Sequence, residues 1–182
     1  MTNIKIYNGK KLTKELFLQA WALDRMAYAT QYQMTCEECT AFFEKNPQIY
    51  FIAVDEATQK VVGYFGFCPI SKDLADKIKS GHFLDSNMIA EDIQIYEDNH
   101  EYCGYMASLV VHPAYQRQGI ANTLLEAWQE FLKTISRSRG ITFMELLADA
   151  VSPGGEYLLK KMGFSLLCET EHGTKIMYKV NK

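Results

Sequence analysis

Several features are missing from this 182-residue sequence, and each absence excludes a class of protein. The net charge is -3 and basic residues cluster only near the end of a predicted helix (133–139), so we expect no nucleic-acid partner. No apolar run approaches the roughly 20 residues that cross a bilayer, so we expect no membrane partner. The first residues do not resemble a signal peptide, and we therefore expect a cytoplasmic protein.

A fully paired set of cysteines is also missing, because the sequence contains five. An odd number is typical of a reducing compartment. Cys36 and Cys39 form a Cys-x-x-Cys pair, but a structural zinc site needs four ligands and the other cysteines are scattered singly. The pattern Thr35-x-x-Glu38 indicates a helix capping box instead. We therefore expect no metal.

Two common phosphate-binding motifs are absent, namely Gly-x-x-x-x-Gly-Lys-Ser/Thr and a complete Gly-x-Gly-x-x-Gly. In the stretch 109–121, however, an apolar run stops at His112 and a polar loop leads through Gly119 into a periodic apolar pattern. This order predicts a strand, a tight loop and a helix. The amide groups of Arg117 to Ala121 would point outward at the positive end of that helix, where phosphate binds well. The alternative is an ordinary strand-to-helix turn.

The rest of the chain predicts one domain, 1–182, with an irregular insertion at about 71–101. Predicted strands are Ile4–Tyr7, Ile49–Val54, Val61–Cys68 (stopped by Pro69), Tyr102–Val111, Thr142–Ala148, Phe164–Thr170 and Thr174–Val180. Predicted helices follow Thr13, Thr35, Ser71 and Gly119, and a last one spans Gly155–Met162 after a Ser152-Pro153 cap.

The pattern Gln-x-x-Gly-x-Ala at Gln116–Ala121, after a strand that ends in Val-x-Pro, closely resembles the coenzyme A pyrophosphate loop of the GNAT superfamily of N-acetyltransferases. The order of predicted elements is similar to that family over nearly the whole chain, and least so at 71–101. The resemblance implies an α/β fold with a mostly antiparallel sheet, splayed central strands and helices on both faces. It also implies transfer of an acetyl group from acetyl-CoA, without a metal, to a primary amine of a small molecule or peptide.

By the same resemblance, acetyl-CoA would enter between the two central strands, 102–111 and 142–148. The backbone of Leu109, Val110 and Val111 would bind the pantetheine arm as if it were an added strand. The pyrophosphate would lie on the turn, whose residues are Gln116, Arg117, Gln118, Gly119, Ile120, Ala121 and Asn122.

The implied reaction needs a neutral amine and a proton donor for the leaving thiolate. Glu145 matches a frequent position of the base in the family. The alternative interpretation is that Glu145 has no catalytic role and is a charged residue at an open sheet face or in an ion pair. The acid is ambiguous: counting back from Gly163-Phe164 puts Leu159 at the family's tyrosine position, whereas counting forward from Glu145 gives Tyr157. We take Tyr157 as the proton donor, with a core or surface aromatic residue as its alternative.

The acceptor side is less defined. Tyr105 lies where some relatives carry a catalytic carboxylate, and we expect it to shape the acceptor site. The segment from His82 to Glu101 has no lysine or arginine. Its acidic residues, among them Glu97, Asp98 and Glu101, either attract a cationic amine or form a solvated loop.

Two functions remain open at this point. One is an N-acetyltransferase, and the other is a non-catalytic acyl-CoA-binding module that kept the loop and lost the acid. A nucleotide-binding domain is excluded because no phosphate-loop lysine or magnesium ligand lies beside the loop. Exposed sheet edges often pair in this fold, so a homodimer is one expectation for the oligomeric state.

Overall fold

The computed structural model of the chain describes residues 3–180. Within that range the strands are β1 (Ile4–Asn8), β2 (Tyr50–Asp55), β3 (Lys60–Ile70), β4 (Glu101–Val111), β5 (Thr142–Ala150), β6 (Ser165–Glu169) and β7 (Lys175–Val180). The helices are α1 (Lys14–Ala27), α2 (Cys36–Lys45), α3 (Lys72–Lys79), α4 (Ile120–Arg139) and α5 (Pro153–Lys161). The strands form one sheet in the order β1-β2-β3-β4-β5-β7-β6, in which β4 and β5 are parallel and all other neighbours antiparallel. The predicted mixed, mostly antiparallel sheet is confirmed.

The helices begin at the capping residues that the sequence predicts. The Thr35 hydroxyl accepts a hydrogen bond from the Glu38 amide (3.2 Å), and the Glu38 carboxylate accepts one from the Thr35 amide (2.8 Å), which completes the capping box of α2. The hydroxyl groups of Thr13, Ser71 and Ser152 cap α1, α3 and α5, and each accepts a hydrogen bond from the amide three residues later. These bonds satisfy amide groups that the first helical turn leaves free.

Helices cover both faces of the sheet. On one face lie α4 and α5, where the Trp128 ring packs on Phe65 and Phe67 with ring centroids 5.5 and 5.1 Å apart. On the other face lie α1, α2 and α3, where Phe17 of α1 stacks on Phe43 of α2 at 4.7 Å. No helix within residues 3–180 is long and apolar enough to cross a bilayer.

An irregularity in β4 separates the two parallel strands. In the pairing of β4 with β3 the register jumps from Met106 to Ser108, so Ala107 is an extra residue that forms a bulge. The pairing of β4 with β5 ends at Met106 and Ala148. Beyond this point β4 continues along β3, while β5 continues along β7. The carboxyl ends of β4 and β5 therefore diverge and leave a gap.

The prediction that Pro69 stops the third strand is wrong. β3 continues through Pro69 to Ile70, whereas its antiparallel neighbour β2 begins only at Tyr50, opposite Gly66, and does not extend alongside Pro69. On the edge that β2 leaves open, the Pro69 carbonyl accepts a hydrogen bond from the Gln94 amide (2.9 Å). Since the amide and carbonyl of a strand residue point to the same side, the missing N–H of proline costs no bond to β4.

The stretch predicted as an irregular insertion at about 71–101 begins with α3, and its remainder, 80–100, is called here the insertion and packs against the rest of the domain. It contains short turns at Asp85–Asn87 and Ala90–Asp92, and it buries the apolar side chains Met88, Ile93 and Tyr96. Its carbonyl groups accept hydrogen bonds from the side chains of Lys45, Asn46 and Arg139. The insertion is thus tied to α2 on one face of the sheet and to α4 on the other.

Candidate active site

The gap between β4 and β5 is a cleft of about 330 Å³, called here the donor cleft. Its walls come from the diverging ends of the two strands and from α1, α4 and α5. Lining residues include Tyr28, Met106–Leu109, Val111, Ala121, Ala148–Ser152, Leu158 and Leu159. The lining is mostly apolar, which suits the pantetheine arm of a coenzyme better than a free nucleotide.

The turn between β4 and α4 lies at one end of this cleft. Arg117 and Gly119 have backbone φ angles of 61° and 84°, in the left-handed region where a side chain is unfavourable. A Cβ atom added at Gly119 would meet no heavy atom within 4 Å, so the space beside the turn is open. The Gln116 amide side chain donates to the Val111 carbonyl at 3.4 Å and braces the turn.

The first amide groups of α4 are available at this turn. The Thr123 amide donates to the Gly119 carbonyl (3.0 Å), which leaves the amides of Ile120, Ala121 and Asn122 ahead of the first α-helical hydrogen bond of α4. They lie at the positive end of a helix that runs to Arg139. The arrangement fits a pyrophosphate and needs no basic cluster.

The residues predicted to bind coenzyme A are thus found around one cleft. Leu109, Val111 and Ala121 line the cleft directly. Val110 does not line the cleft, because its side chain is buried in the core beside α1 and its backbone pairs with Tyr64 of β3. The assignment of these residues to coenzyme A stays a prediction that the geometry favours.

Tyr28 is a functional candidate that the sequence reasoning missed. It follows the last residue of α1 and lines the donor cleft, where its hydroxyl interacts with the Leu109 backbone and the Ser108 hydroxyl. Burial raises the pKa of Tyr28 to about 12. Its hydroxyl therefore keeps its proton at neutral pH.

A second, smaller cavity of about 90 Å³ lies between α1, α2, β3 and β4 and is called here the acceptor cavity. Aromatic side chains dominate its lining: Phe17, Trp21, Tyr32, Phe42, Tyr50, Tyr64 and Tyr105. Ala107 and Ser108 line both this cavity and the donor cleft. The bulge of β4 is therefore the wall that the two cavities share.

Two carboxyl groups, Asp24 and Asp85, face the acceptor cavity, and each has a tyrosine partner. Tyr64 donates a hydrogen bond to Asp24, and Tyr105 donates one to Asp85 at 3.4 Å. Burial raises the pKa of Asp24 above its ordinary value. Burial, with a smaller contribution from Asp149, raises the pKa of Asp85 to about 6.

A third carboxyl group lies on β5 beside the donor cleft. Asp149 accepts a hydrogen bond from the Thr174 hydroxyl through Oδ2 (2.8 Å), while its buried Oδ1 has no hydrogen-bond partner within the described part of the chain. Burial raises the pKa of Asp149. The negative charge around the two cavities thus comes from α1, the insertion and β5.

The structure does not support Glu145 as the base. The Lys79 ammonium lies 2.8 Å from Glu145 Oε1, and the Cys103 thiol donates to the same oxygen at 3.4 Å. Glu145 pairs in register with Cys103, three residues before the end of the β4–β5 ladder, and lines neither cavity. These surroundings agree with the alternative interpretation, in which Glu145 forms an ion pair.

Tyr157 lines neither cavity. It is 71% exposed, whereas Leu158 and Leu159 line the donor cleft. The count back from Gly163-Phe164 therefore gives a residue that lines the donor cleft, and the count forward from Glu145 does not. A two-residue offset turns a side chain by about 200° on a helix, which explains why Tyr157 points to solvent.

The acidic residues predicted to bind the acceptor, Glu97, Asp98 and Glu101, line neither cavity. Glu101 is the first residue of β4 and lies about 17 Å along the strand from Met106. Asp98 forms an ion pair with Arg139 at 2.6 Å, and the Glu97 amide donates to the Tyr102 hydroxyl. The insertion does reach the acceptor cavity, but through Asp85 and Met88. Tyr105 lines that cavity, as expected.

One sequence signal could have pointed to Asp24 and Tyr28. The residues Phe17, Trp21 and Asp24 recur at helical spacing along α1 and so share a face, and Tyr28 follows at the same spacing just after the helix ends. A carboxyl group on an otherwise apolar and aromatic face is unexpected unless it has a partner or a ligand. No comparable signal singles out Asp85 within its acidic segment.

Comparison with known proteins agrees with this geometry. A family model described as acetyltransferase (GNAT) family matches residues 11–164. Similar solved structures include the NatC complex bound to Gag peptide and CoA (16% identity, TM-score 0.66, covering 98% of this chain and 99% of that one). They also include a mosquito arylalkylamine N-acetyltransferase like 5b (14%, 0.62, 98% and 100%) and Arabidopsis thaliana Naa50 with the bisubstrate analogue CoA-Ac-MVNAL (12%, 0.60, 98% and 99%).

A search of curated proteins finds no match to the sequence. The low identities to the solved structures establish a shared fold, and the family model covers most of the chain. The Gln116–Ala121 turn, which resembles a coenzyme A loop, therefore occurs in a chain that has the fold of that family. The chain belongs to the acetyltransferase (GNAT) family of acyltransferases.

Proposed function

We propose that the protein transfers the acetyl group of acetyl-CoA to a primary amine. The observation that carries this proposal is the meeting of the donor cleft and the acceptor cavity at Ala107 and Ser108. A thioester in the cleft and an amine in the cavity would come into contact beside the β4 bulge, where the two cavities share Ala107 and Ser108. Such proximity converts a bimolecular reaction into an effectively unimolecular one.

Three observations support acetyl-CoA as the donor. The parallel strands diverge beyond Met106, the cleft between them is mostly apolar, and the open turn at Gly119 lies at its end. Two of the similar structures were solved with CoA or a CoA conjugate. Two are described by a peptide ligand or an arylalkylamine substrate, which supports an amine as acceptor.

In the proposed reaction the amine nitrogen forms a bond to the thioester carbonyl carbon and the carbon–sulfur bond breaks. The nitrogen loses one proton to a base, and the coenzyme A thiolate gains one from an acid. No further reactant is required. Residues beside the cleft and the cavity can supply this acid and this base.

Tyr28 is the acid that the geometry favours. Its hydroxyl lies against Ser108 and Leu109, at the boundary of the two cavities, and its high pKa keeps it protonated. It replaces the tyrosine that the family signature would place at Leu159, where this chain has an apolar side chain on the cleft wall. After donating to the thiolate, Tyr28 regains a proton from solvent.

The experiment is incubation with acetyl-CoA and a panel of primary amines, measuring free thiol and the mass of the acetylated product. We expect stoichiometric thiol and N-acetyl product with at least one amine. Binding of coenzyme A without transfer to any amine would contradict the proposal.

Gly119→Ala tests the donor cleft, and Gly173→Ala is its matched control. Both glycines have φ near 80° and open space around the added methyl group, so the backbone penalty of about 1–2 kcal/mol is common to both. Only the methyl at position 119 obstructs phosphate at the turn, so we expect coenzyme A affinity to fall about tenfold or more in that variant alone. Equal affinities of the two variants would contradict the assignment.

A further inference from the structure

We propose that the acceptor cavity selects a compact primary amine with one apolar alkyl or aromatic group and no carboxylate, held as an ammonium ion between Asp24 and Asp85. The inference rests on the proposed function and names its substrate class. It excludes a free amino acid, a polyamine and the terminus of a peptide as the preferred acceptor.

The size of the cavity limits the acceptor. A volume of about 90 Å³ is below the roughly 150 Å³ of a cavity that holds one benzene molecule, so a short alkyl group fits and a single ring needs a small side-chain shift. The connection from α1 to α2 contributes Tyr32 and Met34 to the lining, and the Trp21 indole donates to the Met34 carbonyl at 3.4 Å.

The lining chemistry limits the acceptor further. Aromatic rings on α1, α2 and β3 suit an apolar group and also attract a cation through their faces. The charged groups facing the cavity are carboxyls, Asp24 from α1 and Asp85 from the insertion, with Asp149 of β5 close enough to affect the pKa of Asp85. An ammonium ion is stabilised there, whereas a carboxylate on the same ligand is repelled.

Asp85 is the residue that receives the proton. It interacts with Tyr105, which lies on β4 two residues before Ala107 and so close to the shared wall. The substrate ammonium transfers one proton to the Asp85 carboxylate, which leaves a neutral amine to attack the thioester. The second proton leaves the nitrogen when the amide forms and passes to solvent. Asp85 then releases the proton that it received to solvent, which restores its carboxylate. Asp24, paired with Tyr64, is a positioning residue that keeps the ammonium in place.

The first test compares acceptors that differ in one feature. Phenethylamine and phenylalanine share a ring and an amine but differ by a carboxylate, while isopentylamine, spermidine and a short peptide vary size and charge. We expect kcat/KM for phenethylamine and isopentylamine to exceed that for phenylalanine, spermidine and the peptide by about 100-fold or more. Equal or better acetylation of phenylalanine, spermidine or the peptide would overturn the inference while leaving the proposed function intact.

The second test uses Asp24→Asn and Asp85→Asn. The control is Asp76→Asn, which removes one carboxylate from the exposed side of α3, outside the cavity. We expect Asp85→Asn to lower kcat about 100-fold and Asp24→Asn mainly to raise the amine KM, while coenzyme A affinity stays within about twofold. Variants that behave like Asp76→Asn would overturn the assignment.

A binding measurement covers the case in which a variant does not fold. Trp21 lines the cavity, whereas Trp128 is buried in the core, so amine binding to the wild-type protein with coenzyme A should change Trp21 fluorescence. We expect a saturable change with isopentylamine and none with isovalerate, which carries a carboxylate instead of the amine. The reverse order, or no change with either, would overturn the inference.

Discussion

Replacing Asp85 by asparagine should make the protein more stable at neutral pH even as it removes activity. The Asp85 carboxyl is partly buried and its folded-state pKa is raised to about 6 from an ordinary value of 3.8. A carboxyl whose pKa is raised on folding favours the folded state at low pH. That contribution is complete below about pH 3.8 and is lost as the pH rises through about 6.

The size of the effect follows from the two pKa values. The difference corresponds to a cost of about 3 kcal/mol to the folded state once the pH is well above 6. Asparagine has no charge to bury and still offers an oxygen to the Tyr105 hydroxyl, which donates to Asp85 at 3.4 Å. We therefore expect the free energy of unfolding of Asp85→Asn to exceed that of the wild type by about 2 kcal/mol more at about pH 8 than at about pH 4.5.

The assay is urea unfolding of both proteins at the two pH values, followed by far-UV circular dichroism. Asp76→Asn serves as the control because the pKa of Asp76 is lowered, mainly by its hydrogen bond with Lys79, so that variant should lose rather than gain stability at high pH. A gain for Asp85→Asn that is no larger at pH 8 than at pH 4.5 would refute the reasoning. A stability gain with lost activity is the usual signature of a residue kept for function.

Three further substitutions separate the functional candidates. Tyr28→Phe should lower kcat at least about tenfold with coenzyme A affinity unchanged by calorimetry, because only the thiolate's proton donor is lost; a normal kcat would exclude Tyr28 from this role. Glu145→Gln should keep kcat within about twofold and lower the free energy of unfolding by about 1 kcal/mol, because Lys79 loses one of its two carboxylate partners; a large loss of kcat with normal stability would restore Glu145 as the base. Tyr157→Phe should leave kcat unchanged, since its side chain is 71% exposed, and a reduced thiol release rate would contradict its placement.

The sequence was informative where function depends on local backbone geometry. The stretch Leu109–Ala121 predicts a strand, a turn and a helix, and each follows from neighbouring residues: an apolar run, a glycine that adopts a φ of 84°, and a periodic apolar face. The capping box at Thr35 and Glu38 is equally local. Such features need no knowledge of the tertiary fold.

The acceptor side could not be predicted because it depends on tertiary placement. Asp85 reaches the cavity only because the insertion folds back over β3 and β4, whereas Asp98, in the same acidic segment, pairs with Arg139 at the far end of the sheet. Nothing in the local sequence separates the two carboxyl groups. Glu145 has apolar neighbours in sequence, yet Lys79 from α3 is its partner in space.

The exposed position of Tyr157 has a different cause. Counting along a helix identifies a face only when the count begins within that helix or at its end. Gly163-Phe164 lies just after the end of α5, and the count from it gives the face that lines the donor cleft. Glu145 lies on β5, and a connection of variable length separates it from α5. Because Leu159 occupies the position of the family's tyrosine, the sequence favours Tyr157 as its replacement. The tyrosine that lines the donor cleft is Tyr28, at the end of α1.

The most direct test of the account is a crystal structure with a bisubstrate conjugate in which coenzyme A is joined through an acetyl group to phenethylamine. The account predicts the pantetheine arm between β4 and β5, the pyrophosphate on the amides of 117–122, and the phenethyl group between Asp24 and Asp85 on the other side of Ala107. A conjugate whose phenethyl group lies outside the acceptor cavity, or whose coenzyme lies away from the gap between the two strands, would contradict it.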